Sequence, residues 1–191
     1  MELPFSFLKN SMKSQAILSN KSPQIGKRHL EVMDELESML DQGKSFSTMS
    51  DLAKKLKISL RTLYEIAPSK EELIVTTVDR VLKKHGKIAM DAMNTHSSPI
   101  KKLESFLTVA NQAVGPRFER FTLSLSSLNS SKLMVDYHEQ YITDLIKKLL
   151  DEARIKNEIK EIDTQATALL LGGLGRYFQS KKLLKDLHQT P

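Results

Sequence analysis

Apolar residues recur at intervals of three and four along nearly the whole chain from Ile25 onward, the spacing of one face of an α-helix. Leu30, Met33, Leu36, Met39 and Leu40 form the first stripe, and Gly43 follows where a helix C-cap belongs. Met49, Leu52, Ala53 and Leu56 form a second, with Ser47 or Thr48 as N-cap. Leu60, Leu63, Tyr64 and Ala67 repeat the spacing after Ser59, another capping residue, and Pro68 ends that helix. Ser69 to Glu72 reads as a capping box opening a longer helix through Leu73, Val78, Val81 and Leu82, expected to run out near Gly86.

The second half follows the same rules. Ser98-Pro99 starts a helix whose Ile100, Leu103, Phe106, Leu107 and Ala110 face inward, and Gly115-Pro116 is expected to break it. Phe118, Phe121, Leu125 and Leu128 mark the next helix, and Leu133 to Ile155 a long one. Asp163 is the expected cap of a last helix from about Thr164 to Leu187. Residues 1–24, with two prolines and five serines, read as an extension without periodicity. No stretch alternates as a strand would. The expected fold is all-α, with one helical domain over residues 25–86 and a second over 87–191.

Composition narrows the chemistry. At 191 residues the chain can bury a core without staples. The absence of cysteine excludes disulfides, thiol nucleophiles and Cys-based metal sites. The five histidines are scattered without metal-ligand spacing, and no Ser-His-Asp arrangement is detectable, so neither an enzyme nor a cofactor is expected. No apolar run approaches the roughly 18 residues of a membrane span, and a cytoplasmic protein without membrane contact is expected. Net charge is +6, which suits a polyanionic partner. The excess is even between halves, with 14 basic and 11 acidic residues in 1–86 and 15 and 12 in 87–191. Locally it is uneven: Lys44 to Arg61 holds five basic residues and one acid, Asp51.

Three short helices, the second and third joined by Lys57, Ile58 and Ser59, match a helix-turn-helix, whose second helix enters a DNA major groove. Leu63 and Ala67 account for the inward face of that recognition helix over 60–67. Leu60, Arg61, Thr62 and Glu65 then point outward, with Tyr64 at the boundary. Arg61 can read guanine bidentately, and Leu60 can touch a thymine methyl. Lys44, Lys54, Lys57 and Lys70 surround this face and suit phosphates.

The run Ser47 to Ala53, then Leu56-Lys-Ile-Ser59, Thr62-Leu-Tyr64 and Pro68-Ser-Lys-Glu-Glu-Leu73, resembles the DNA-binding region of TetR-type (TetR/AcrR) transcriptional regulators. The resemblance covers about Ile25 to Leu82. It implies a homodimeric repressor on a palindromic double-stranded operator, with residues 25–86 as a three-helix DNA-binding domain and 87–191 as a helical effector-binding and dimerisation domain whose small-molecule ligand releases the operator. On the matching positions it implies DNA contacts from Ser47, Thr48, Lys57, Ser59, Leu60, Arg61, Thr62, Tyr64, Glu65 and Lys70, Tyr64 and Lys70 toward phosphate. The chain departs from the pattern where Lys57 takes the usual turn glycine, Arg61 a position usually glycine or alanine, and Ile66-Ala67 an aromatic pair. A helical adaptor whose recognition helix no longer reads DNA is the alternative.

In the second domain Phe106, Phe118, Phe121, Met134, Tyr137 and Tyr141 are core candidates, some of which suit the lining of an apolar effector pocket. Gly172-Gly-Leu-Gly175 lacks the strand that a nucleotide-binding loop requires. Its small residues instead permit close helix approach, so Leu170, Gly173, Leu174 and Tyr177 are the expected dimer seam.

Overall fold

The computed structural model describes residues 26–44, 48–125, 128 and 131–177; at 114–116, 118, 119, 121–124 and 174–177 it describes the helical backbone only. The described elements are all helical: α1 Lys27–Asp41, α2 Met49–Leu56, α3 Leu60–Ile66, α4 Lys70–Met93, α5 Pro99–Leu125, α6 Ser131–Ile155 and α7 Thr164–Tyr177. None is long and apolar enough to cross a membrane.

Helix ends follow local chemistry. Gly43, at φ 64°, stops α1: its N–H reaches Leu40 O and that of Lys44 reaches Met39 O, so two orphan carbonyls are satisfied. Thr48, Ser59, Ser69 and Ser98 each accept a backbone N–H three residues on, opening α2, α3, α4 and α5. Of the expected capping box at Ser69, the structure shows the serine half. Asp163 accepts from Ala166 N at the start of α7. Ala67 is extended before Pro68, the conformation a following proline imposes.

Two expected breaks do not occur. α4 runs through Gly86 to Met93, because burying Ala89 and Met93 beyond the glycine offsets its cost of about 1 kcal/mol. α5 runs through Gly115-Pro116 to Leu125 as one helix, although an interior proline costs about 3 kcal/mol. Packing on both sides holds it: Leu103 and Phe106 are buried before the proline, Leu125 after it. Leu30, expected in the first core stripe, is exposed, and Val32 is buried in that stripe instead.

Three apolar clusters lie along the molecule. The first joins α1, α2, α3 and the start of α4 through Val32, Leu36, Leu52, Leu63, Ala67 and Leu73. Partly buried Leu56, Ile58, Ile66 and Ile74 pack against it. The second brings Leu40 of α1 against Val75, Val78 and Val81 of α4 and Leu125 of α5. The third joins α4, α5, α6 and α7 through Met93, Leu103, Phe106, Ile146, Leu149 and Ala168. α4 contributes to all three of these clusters of described residues, so it links α1, α2 and α3 to α5, α6 and α7.

Candidate nucleic-acid interface

The turn between α2 and α3 depends on one unusual backbone position. Lys57 adopts φ 51° and ψ 46°, the left-handed region that disfavours a Cβ. This turns the chain so that Ile58 N–H bonds back to Ala53 O at 3.0 Å and Ile58 packs on the first cluster. Ser59 follows in extended conformation and caps α3, its Oγ accepting from Thr62 N at 3.1 Å and lying 2.8 Å from Thr62 Oγ1.

α3 is then held by one face. Leu63 is fully buried and Ala67 nearly so, while Leu60, Arg61, Tyr64 and Glu65 are exposed and Thr62 is half-buried. Tyr64, expected at the boundary, is 52% exposed, because its Cα lies one residue past the inward-facing Leu63. Thr48 and Lys57 are exposed, and Lys70 lies half-buried in the first turn of α4. Ser47 lies outside the described residues. Lys44, Lys54 and Lys55 are also exposed.

Arg61 and Glu65 are joined across one helical turn, Nε to Oε1 at 2.9 Å, and the Arg61 side chain is 88% exposed. Glu65 Oε2 lies 3.1 Å from Nε2 of His29, in the first turn of α1. Gly26 N–H donates to the other ring nitrogen, Nδ1, at 3.1 Å. An accepting Nδ1 leaves the ring proton on Nε2, so neutral His29 donates to Glu65. The Arg61 hydrogen bond, and then that of His29, hold the Glu65 carboxyl below its ordinary pKa. Sequence reasoning left His29 without a role, because its partner is 36 residues away.

A second charged cluster fastens α1 to α4 and α5. Glu37, buried on α1, faces Arg117 at 3.1 Å, Lys84 at 3.4 Å and Arg80 at 3.7 Å. Arg117 also pairs with Asp41 at 3.0 Å, and Arg80 with Asp34 at 2.7 Å. Arg117 Nη1 lies 2.7 Å from His85 Nε2, which must accept there because guanidinium only donates. Burial, then the charges of Arg117 and Lys84, keep the His85 pKa below its ordinary value. Glu37 follows Met33 by four residues on the same face, so an acid on a buried stripe was the available signal.

α4 is tied to α6 as well, His138 Nε2 lying 2.8 Å from Asp79 Oδ1. Burial pushes the Asp79 pKa up, but hydrogen bonds from His138 and Lys83 outweigh it and the net direction is downward.

Of the six pocket candidates, the side chains of Phe106, Met134, Tyr137 and Tyr141 are described. Phe106 is buried in the third cluster, and Met134 packs against the second. Tyr137 is exposed, its ring edge-on to His138, and half-buried Tyr141 directs its hydroxyl to Met90 Sδ at 3.8 Å. The side chains of Phe118 and Phe121 lie outside the described ones, as do those of Leu174 and Tyr177. On α7, Leu169 and Leu170 are exposed, Leu170 at 63%. Gly172 faces inward: a Cβ there would meet Thr143 Oγ1 at 3.0 Å, whereas one on Gly173 would meet nothing within 4 Å. Gly172 therefore serves packing of α7 on α6, while the Cβ position of Gly173 is open. No group of described side chains is placed to hold a metal ion.

No family model and no curated protein matches the chain. Solved structures do. It is similar to the fatty acid degradation regulator FadR from Bacillus halodurans, at 18% identity over 86% of this chain and 89% of that one, with a TM-score of 0.69. A protein of Pseudomonas aeruginosa PAO1 described as a transcriptional regulator gives 13% identity, 90% and 88% coverage and a TM-score of 0.69. One of Clostridium perfringens described as a fatty acid metabolism regulator gives 23%, 83% and 88%, and 0.58. The chain thus shares the all-helical fold of these three structures, an N-terminal helix-turn-helix followed by a larger helical part.

Proposed function

We infer that the chain is a DNA-binding transcriptional regulator of the TetR type, a homodimeric repressor that leaves a palindromic operator when a small apolar effector binds. The observation that carries this reading is α3: a helix capped by Ser59, anchored by fully buried Leu63, and presenting Leu60, Arg61 and Tyr64 to solvent. A helix held by one face and free on the other suits insertion in a major groove. Thr48, at the start of α2, and Lys70, at the start of α4, supply phosphate contacts on either side, since helix N-termini attract anions. Thr62 contributes less than its position promises, because its hydroxyl is engaged with Ser59.

Residues 25–86 act as the DNA-reading domain and 87–191 as the effector and dimer domain, with α4 passing from one into the other. Two of the similar structures are fatty acid regulators. That supports an effector with a long acyl chain, which an apolar helical domain accommodates without a phosphate loop or metal. The effector shifts the spacing of the two recognition helices through whichever dimer geometry encloses it better. The dimer forms through α7, where Leu170 is exposed and the Cβ position of Gly173 is open, with Leu174 and Tyr177 proposed to complete the seam.

The test is selection of bound duplexes from a random pool, followed by titration of the recovered site with fatty acids of increasing chain length. A palindrome whose binding weakens with salt, and is lost on adding one of these acids, is expected. Recovery of no preferred sequence would refute the reading.

A further inference from the structure

We propose that Glu65 and His29 are positioning residues for base reading, holding Arg61 so that its guanidinium presents a fixed edge to one guanine. The inference rests on the DNA-binding reading above and adds to it which residues set specificity. Glu65 takes the Nε–H of Arg61 at 2.9 Å. The terminal amino groups, at the far side of that bond, are the pair that bridges guanine O6 and N7. An arginine 88% exposed would otherwise sample many rotamers, and each one frozen on binding costs affinity.

Glu65 is itself held. His29 Nε2 reaches its second oxygen at 3.1 Å, and the His29 ring is fixed from behind by the Gly26 N–H at 3.1 Å. The chain Gly26–His29–Glu65–Arg61 thus runs from the first turn of α1 to the outward face of α3, each donor matched to an acceptor. Because His29 donates as a neutral ring, the relay needs no protonation. The carboxylate also balances one charge of the basic stretch from Lys44 to Arg61, so general phosphate attraction is not the purpose of the pair.

The experiment is the same duplex selection with wild type, R61A, E65A, the double variant, H29A and H29Q, with thermal unfolding and salt dependence measured on each. R61A should relax preference at one base pair by roughly five- to a hundredfold. E65A should relax the same base pair, and the double variant should be no worse than R61A alone, since two residues acting as one unit are not additive. H29A should relax that base pair less, and H29Q, whose amide can donate to Glu65, should keep the preference. The salt slope of E65A should not become less steep and its unfolding midpoint should stay near wild type, which a merely structural or phosphate role would not give. Wild-type preference in E65A, or relaxation at a different base pair from R61A, would overturn the proposal while leaving DNA binding intact. Failure of the wild type to select any sequence would overturn the regulator reading and this inference with it.

Discussion

Arg117, on α5, donates a hydrogen bond to buried Glu37, on α1, across 3.1 Å, although 80 residues separate them. This contact carries α5 of the larger helical part directly to α1, the helix that precedes the helix-turn-helix. The same guanidinium reaches Asp41 at 3.0 Å. Arg117→Leu should therefore lower stability by about 1–3 kcal/mol, less than a fully buried pair would, because Arg80 and Lys84 remain on Glu37. Urea unfolding measures the loss. A midpoint equal to wild type would show that Arg117 contributes nothing to the native state.

His85 gives that cluster a pH dependence. Its Nε2 accepts from Arg117, so protonation removes the acceptor and sets two cations together. A folded-state pKa below the unfolded one contributes stability that is full above the unfolded value and is lost as pH falls through it toward the folded value. Stability should thus decline as pH falls through the ordinary histidine value of about 6.5 and below it. In H85Q that decline should be shallower. Asp79, also lowered, should act only below about pH 4, where carboxylates titrate. Equal slopes for wild type and H85Q over the higher range would exclude His85 as the source.

Lys57 holds a left-handed conformation at φ 51° that costs a side-chain-bearing residue about 1–2 kcal/mol. Lys57→Gly should stabilise the protein by about 0.5–1 kcal/mol after the greater freedom of glycine in the unfolded chain is subtracted. A calorimetric melting temperature below wild type would mean that the lysine side chain makes a compensating contact. Any loss of DNA affinity in this variant would come from the missing charge, and should shrink as salt rises.

Lys70 and Arg61 should differ in kind. Lys70→Ala should weaken all duplexes about equally and lower the salt slope by roughly one unit, as loss of a phosphate contact does. A sequence-selective loss would place Lys70 on a base instead.

The α7 surface can be tested without disturbing the monomer. Because a Cβ on Gly173 meets nothing within 4 Å, Gly173→Leu should leave the unfolding curve of the isolated chain intact while weakening a dimer by roughly tenfold or more through overpacking. Leu170→Glu should act alike. Sedimentation equilibrium distinguishes the outcomes, and a wild-type chain that stays monomeric at micromolar concentration would remove the dimer from the proposal.

Local chemistry made much of this molecule legible in the sequence. The caps at Thr48, Ser59, Ser69, Ser98 and Asp163, the stop at Gly43 and the buried faces led by Leu36, Leu52, Leu63 and Leu73 all depend on residues within one or two turns of each other. The same holds for most of the exposed face of α3, since burying Leu63 forces Leu60, Arg61 and Glu65 outward, whereas Tyr64 was expected at the boundary and is exposed. What tertiary structure alone decided involves partners far apart in the chain. Gly86 and Pro116 have local preferences that end helices, yet α4 and α5 continue because packing beyond each one outweighs a cost of about 1–3 kcal/mol. His29 met Glu65, and Glu37 met Arg80, Lys84 and Arg117, only once α1 was laid against α3, α4 and α5. A hydrogen bond between side chains 36 or 80 residues apart leaves no periodic trace, because its geometry belongs to the packed helices and not to either segment.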